Sequence, residues 1–355
     1  MTRTRKILFG LITVLVIPAF FFISLELGLR IAGFGNSFDY FTEIDINDRS
    51  YFQDNPVFIQ QFYPAALNLS PLENTFSPES PDNVIRIFVL GGSAARGFPN
   101  PDHGFSRLLE TQLRQALPAN RVEVINTAMT AVNSHVVYEI ARSIPQGTAD
   151  FAIIYMGNNE VVGPYGPGTL YQNFSSNLDL IRAIQAIKRL RIGQGLSELA
   201  GAIMQRDNKA ELVWQGMQMF AENNVLYNDS RLAGVYAHFQ NNMEDIIRIL
   251  HRKGAHILLS TVPVNLQDSA PFASVHKPAI SAAKMQLWID ATSKGNKSYD
   301  AEQWRQAITE YSKAVAIDPD YADTHYRLGV AYTNVEDPEK AATHFNRARD
   351  LDVLR

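Results

Sequence analysis

Residues 84–97 read VIRIFVLGGSAARG, and the fold follows from this stretch. A short, β-branched, nearly continuous apolar run ends in two glycines, as where a buried parallel strand meets a tight turn. A helical pattern follows from Phe105 to Ala116. RVEVINTAM, from Arg121, reads as a second strand, and SHVVYEIARSI, from Ser134, as a helix. DFAIIYMGNNE, from Asp150, is a third strand running into a Gly-Asn-Asn turn. After a helix over Val235–Arg252, AHILLSTVP, from Ala255, is a fourth. Strands that alternate with helices predict an α/β fold, a parallel sheet with helices on both faces in a three-layer αβα sandwich. In such sheets the working residues gather at the carboxyl ends of the strands.

Outward from this core, residues 7–25 form an apolar run of 19 residues without a charge, preceded by Arg3, Arg5 and Lys6. That is close to the roughly 20 residues a membrane-spanning helix needs. Basic residues stay on the cytoplasmic side, so the main domain is expected outside a cytoplasmic membrane, on a single-pass anchor. A cleaved signal peptide is the competing reading, but no clean small-x-small site follows. Pro18 is expected to kink the span. Residues 36–80, rich in Asn, Asp, Pro, Ser and aromatics, show no period and read as a juxtamembrane linker. Residues 1–35 are then a cytoplasmic stub and anchor, 81–280 the α/β domain with an insertion at about 163–232, and 281–355 a repeat region. The insertion, opened by the Gly/Pro-rich GPYGPGT, reads equally as a source of substrate walls or a lid and as a plain surface insertion.

The repeat shows in four offsets of 34 residues: Ala307, Tyr311, Ala314 and Asp318 recur as Ala341, Phe345, Ala348 and Asp352. With Leu328, Gly329 and Tyr332 this resembles a tetratricopeptide repeat, a helix pair whose small residues let helices approach. Two units are fewer than a free-standing solenoid needs. They are expected to pack on the α/β domain or on further chain, and a protein partner is expected at them.

Composition excludes several classes. The 355 residues are 46% apolar and 19% charged, which suits a globular core rather than a disordered polyelectrolyte. Net charge is −4, and −7 once residues 1–35 are set aside, so nothing points to nucleic acid. The chain has no cysteine, which removes disulfides, thiolate metal sites and cysteine nucleophiles. No metal-ligand spacing and no cofactor motif stands out. The glycine-rich turn lacks the lysine of a phosphate loop.

Three strand ends carry candidate chemistry. Ser93 sits in the Gly91–Gly97 turn, at the expected positive end of a helix. Ala131 follows the second strand, and Asn159 the third, in Gly157-Asn158-Asn159-Glu160. A serine hydroxyl needs a base to become a nucleophile, and the oxyanion it creates needs fixed N–H donors. The order and spacing of these blocks resemble the SGNH (GDSL-like) hydrolase family, over roughly residues 84–270. The repeat pair further resembles a membrane-anchored subset of it. The resemblance implies a flavodoxin-like sandwich and a serine esterase or deacylase. Ser93 would be the nucleophile, with an oxyanion hole from the Ala131 N–H and the Asn159 amide. Ala131 stands where the family usually has glycine, and Glu160 where it has aspartate. Acylated small molecules, glycans or lipids would be the substrates, with acyl transfer as the same chemistry on another acceptor.

The family's late D-x-x-H is missing. Three residues before the eight histidines stand Asn100, Val132, Val235, Arg248, Lys253, Ala273, Ala322 and Ala341. One reading is that more chain follows, bringing a strand, the acid and the histidine. A second takes His276, just past the fourth strand, with Asp268 orienting its ring. His135 is expected to pack or to face substrate, and His103 to lie in a surface turn. A third reading is a non-catalytic docking protein that uses the repeat pair.

Overall fold

The computed structural model describes residues 12–169, 175–204, 216–220, 223–277 and 280–354. The chain forms two compact units, Met1–Pro78 with Asn177–Val213, and Glu79–Ser176 with Trp214–Arg355.

In the first unit, a π-helical turn at Ile12–Val16 leads into the helix Ile17–Ile31. The span Thr13–Ile31 has a mean hydropathy of 2.0 and no buried residue, so it is long and apolar enough to cross a membrane. Residues 7–11 of the expected span, and Arg3, Arg5 and Lys6, lie outside the described residues. Pro18 is the second residue of the α-helix, directly after the π-helical turn, and it offers no N–H to the turn before it. Near the helix end, both oxygens of Glu26 accept from the Arg191 and Ile192 N–H groups, at 3.0 and 3.1 Å. That caps the helix Arg191–Met204. Part of the expected insertion, 177–213, thus groups with the N-terminal residues rather than with the α/β domain.

Residues 36–80 carry more order than a linker. β1 (Phe41–Ile46), β2 (Arg49–Asp54) and β3 (Thr75–Phe76) pair antiparallel in that order. The β1–β2 connection is Asn47-Asp48, both at positive φ (52° and 60°), a tight hairpin turn that these two residue types tolerate. Tyr40, Phe41, Phe58 and Phe76 meet edge to face in its core. Beside them Asp54 is buried, and one carboxylate oxygen takes the Asn74 N–H (3.1 Å) and side-chain amide (2.6 Å) while the other has no hydrogen-bond partner among the described residues. Burial pushes Asp54 up to about 7, outweighing those donors and the Tyr40 hydroxyl. The folded state therefore holds a proton that the unfolded chain releases above its ordinary carboxylate range. Stability is expected to fall as pH rises from about 4 to about 7, by at most about 1.4 kcal/mol per pH unit from this group. Asp54→Asn should flatten that slope in urea titrations run at pH 4.5, 5.5 and 7.5.

The second unit holds a four-stranded, all-parallel sheet in the order β5-β4-β6-β7: β4 is Val84–Gly91, β5 Arg121–Asn126, β6 Phe151–Tyr155 and β7 His256–Leu259. Ile87 and Val89 pack with Val122, Val124 and Ala95 under Phe105 and Leu113 of the helix Phe105–Ala116. Phe88 and Leu90 alternate to the opposite face and are also fully buried. The helix Ser134–Ser143 lies against β4 and against the long helix Leu232–Arg252. Arg86, buried in the central strand, is matched by its cross-strand neighbour Glu123 at 2.8 Å.

The same unit ends in four helices, Ala282–Asp300, Trp304–Ile317, Ala322–Asn334 and Pro338–Leu351. All eight residues of the 34-residue offsets are buried. Gly295 faces the Tyr311 ring and Gly329 the Phe345 ring, a fifth offset of 34, and a Cβ at either glycine would stand 2.6 Å from ring carbons. Only glycine lets these helices approach so closely. The pair does not stand free: Val353 and Leu354 join a cluster with Val161, Val162, Val225, Leu232 and Val235 of the α/β part.

Candidate functional site

The sheet register brings three strand ends together. β4 ends at Gly91, paired with Tyr155 at the end of β6. The chain leaving β5 stays beside β4, because Thr127 N–H donates to Val89 O (2.9 Å) and Met129 N–H to Gly91 O (3.2 Å). The turns after β4, β5 and β6 therefore emerge side by side.

At the first turn, a Cβ on Gly91 would stand 2.0 Å from the Tyr155 carbonyl and 2.6 Å from the Ala95 Cβ, so only glycine fits. Gly91→Ala is expected to push β4 and β6 apart beneath Ser93. It should cost about 1–3 kcal/mol in urea unfolding. Ser93 follows, half-buried, its hydroxyl making no hydrogen bond among the described residues. The helix it opens is a single turn, Ser93–Arg96, too short for the helix-end field the sequence suggested.

At the second turn Ala131 has φ +62°. That left-handed backbone favours glycine and is strained for alanine by roughly 1–2 kcal/mol. The third turn brings Asn159. Its side-chain amide donates to Val132 O at 3.0 Å, and its nitrogen is 3.1 Å from where a Cβ on Gly92 would lie. Asn159 thus binds the residue after Ala131 and lies next to the residue before Ser93. One amide hydrogen is held by Val132 O, which fixes the orientation of the group.

Behind these turns Glu160 accepts from both the N–H (2.8 Å) and the hydroxyl (2.7 Å) of Ser134. It caps the helix Ser134–Ser143 from outside, while the Asn133 amide donates instead to Pro164 O (2.8 Å). Burial pushes Glu160 up to about 7, against the two Ser134 bonds. The Asn242 amide donates to Ser134 Oγ (3.0 Å) and lies 3.3 Å from His135 Nδ1. His135 is buried edge-on to His238 and Tyr165, a packing role. His103 lies exposed in the short turn Pro101–His103.

His276 is placed elsewhere. Its Nδ1 donates to Asp318 at 2.8 Å, and its ring sits between Trp288 and Tyr321 among the C-terminal helices. The carboxylate that orients it is Asp318, fully buried, not Asp268, which instead binds Asn265 (3.1 Å). Among the described residues no hydrogen bond joins His276 to Ser93. The structure thus brings Ser93, Ala131 and Asn159 to one place and seats His276 against the repeat pair.

The repeat pair also holds the segment leading to His276. Asp352 accepts from the Phe272 and Ala273 N–H groups (2.8 and 3.2 Å), as its counterpart Asp318 accepts from His276 and Lys277. The offset marked these aspartates as equivalent but gave no sign of what they bind. Nor did the sequence assign Glu160 a task, although an acid next to Asn159 was visible.

A family model described as a TPR repeat matches residues 295–335, which take in the Gly295–Tyr311 contact and the helix Ala322–Asn334. The C-terminal helices are a TPR region. Comparison with curated proteins gives no match.

Proposed function

We propose that the second unit is a serine esterase or deacylase of the SGNH hydrolase type, on a three-layer αβα sandwich, acting outside the cytoplasmic membrane on an N-terminal anchor. The observation that carries this reading is the Asn159 amide, set between Val132 and Gly92, the residue before Ser93, whose hydroxyl makes no hydrogen bond among the described residues. Ser93 Oγ attacks the ester carbonyl and gives up its proton to a base. The carbonyl oxygen takes the charge and is held by the Ala131 N–H and the Asn159 amide. The intermediate collapses, the alcohol leaves with a proton, and water then releases the acid from the acyl-enzyme. A hydroxyl acceptor in place of water would make the same steps an acyl transfer.

The base is either His276 or a histidine from further chain. His276 has the orientation such a base needs, since Asp318 at Nδ1 leaves Nε2 to take a proton. Reaching Ser93 from its seat would require the 265–277 segment to move. Fluorophosphonate labelling of the full chain in detergent tests the reading. A single adduct mapped to Ser93 is expected, and an unlabelled Ser93 would overturn it.

One observation favours a second reading. His276 and its segment are engaged by the TPR region, and TPR regions suit protein partners. On that reading the protein is a non-catalytic docking protein. Partner capture would then survive Ser93→Ala and be lost when Gly329 or Phe345 is replaced.

A further inference from the structure

Two loops must hold still for the site to work, residues 130–134 with the Ala131 N–H and residues 157–164 with the Asn159 amide. We infer that Glu160 is a positioning residue that locks these loops in register, a role resting on the esterase reading for its purpose though not for its existence. At least four hydrogen bonds cross between the loops among the described residues. Asn159 donates to Val132 O, Asn133 donates to Pro164 O, and Ser134 donates twice to Glu160. The Ser134 pair alone joins one residue on each loop by two bonds, so it fixes orientation as well as distance. It is also fixed from behind, where Asn242 of the long helix donates to the same Ser134 hydroxyl.

The packing leaves little room for the loops to slide. A Cβ on Gly163 would stand 2.6 Å from Asn159 O and 2.8 Å from the Asn133 Cβ. The Gly163 N–H donates to Asn159 O at 2.7 Å, closing the turn on itself. Asn159 therefore cannot shift without its neighbour Glu160, and Glu160 cannot shift without the helix start that follows Ala131. A carboxylate at 160 sets the separation between the two oxyanion donors, and donor placement within a few tenths of an ångström decides how much such a site contributes.

The test uses the full chain in detergent, as wild type, Glu160→Gln, Glu160→Asp and Ser134→Ala. Hydrogen–deuterium exchange decides the lock. Amides of 130–134 and 157–163 should exchange at least about tenfold faster in Glu160→Gln, with partial recovery in Glu160→Asp, while the helix Phe105–Ala116 keeps its protection. Unchanged loops, or a speeding that spreads over the whole unit in Ser134→Ala as well, would overturn the inference. Should Glu160→Gln fail to fold, Ser134→Ala decides alone: faster exchange confined to the two loops supports the lock, and none refutes it. Labelling of Ser93 is read separately. A rate about tenfold lower in Glu160→Gln, at an unchanged half-saturating probe concentration, is expected. Equal rates would remove the positioning role. An unlabelled wild type would remove the esterase reading and leave the lock to be judged by exchange.

Discussion

Replacing Ser93 by alanine should reduce the hydrolysis of a short-chain aryl ester by at least about a thousandfold, with folding intact. The side chain is half-buried and holds no hydrogen bond among the described residues, so the fold loses almost nothing with it. The reaction loses its nucleophile, and what survives is the modest catalysis of a binding site with an oxyanion hole. Asn159→Ala should cost less, about a hundredfold to a thousandfold in kcat, because one of two donors goes. Its effect is also partly structural, since the amide ties the turn to Val132. Steady-state rates of both variants, with circular dichroism as the folding control, separate the cases. An undiminished rate in Ser93→Ala would remove the esterase reading.

The largest loss of stability is expected at Phe345. Its ring is buried against Gly329 and near Tyr326, at the closest approach of two helices. Phe345→Ala should cost about 3–5 kcal/mol in urea unfolding, the transfer term plus the cavity left behind. Gly329→Ala should cost about 1–3 kcal/mol on its own, because its methyl would press on the ring. The two losses should not add. In the double variant the methyl enters space the ring has vacated, so the combined cost falls below the sum. Simple additivity would mean that the glycine answers to something other than that ring.

The α/β core was legible because its cues are local. Apolar runs mark β4, β5 and β6, and the helix Phe105–Ala116 falls where its periodicity put it. The repeat was legible because eight residues of one packing scheme recur at a fixed spacing, and every one of them is buried. The first unit was not, because β1 and β2 are held by a two-residue turn and an aromatic core rather than by alternation. Asn47-Asp48 was the available signal. Among the candidate site residues, Ser93, Ala131 and Asn159 each follow a strand run, so the sheet's own logic marked them. The tasks of Glu160, Asp318 and Asp352 depend on contacts across 26 to 80 positions, which no local pattern records. The left-handed backbone at Ala131 had no sign in the sequence and is visible only once the turn is seen.

The last hydrophobic residues of the TPR region give the molecule a load path. Val353 and Leu354 are seated in the same cluster as Val161 and Val162, the second and third residues after Asn159. Packed apolar side chains transmit displacement because they have no slack to absorb it. A pull on the repeat helices would thus arrive at the turn that carries the Asn159 amide, resisted by the Glu160–Ser134 link and by the Asn159–Val132 and Asn133–Pro164 hydrogen bonds. Whatever grips those helices from outside has its hand on a lever whose short arm ends beside Ser93.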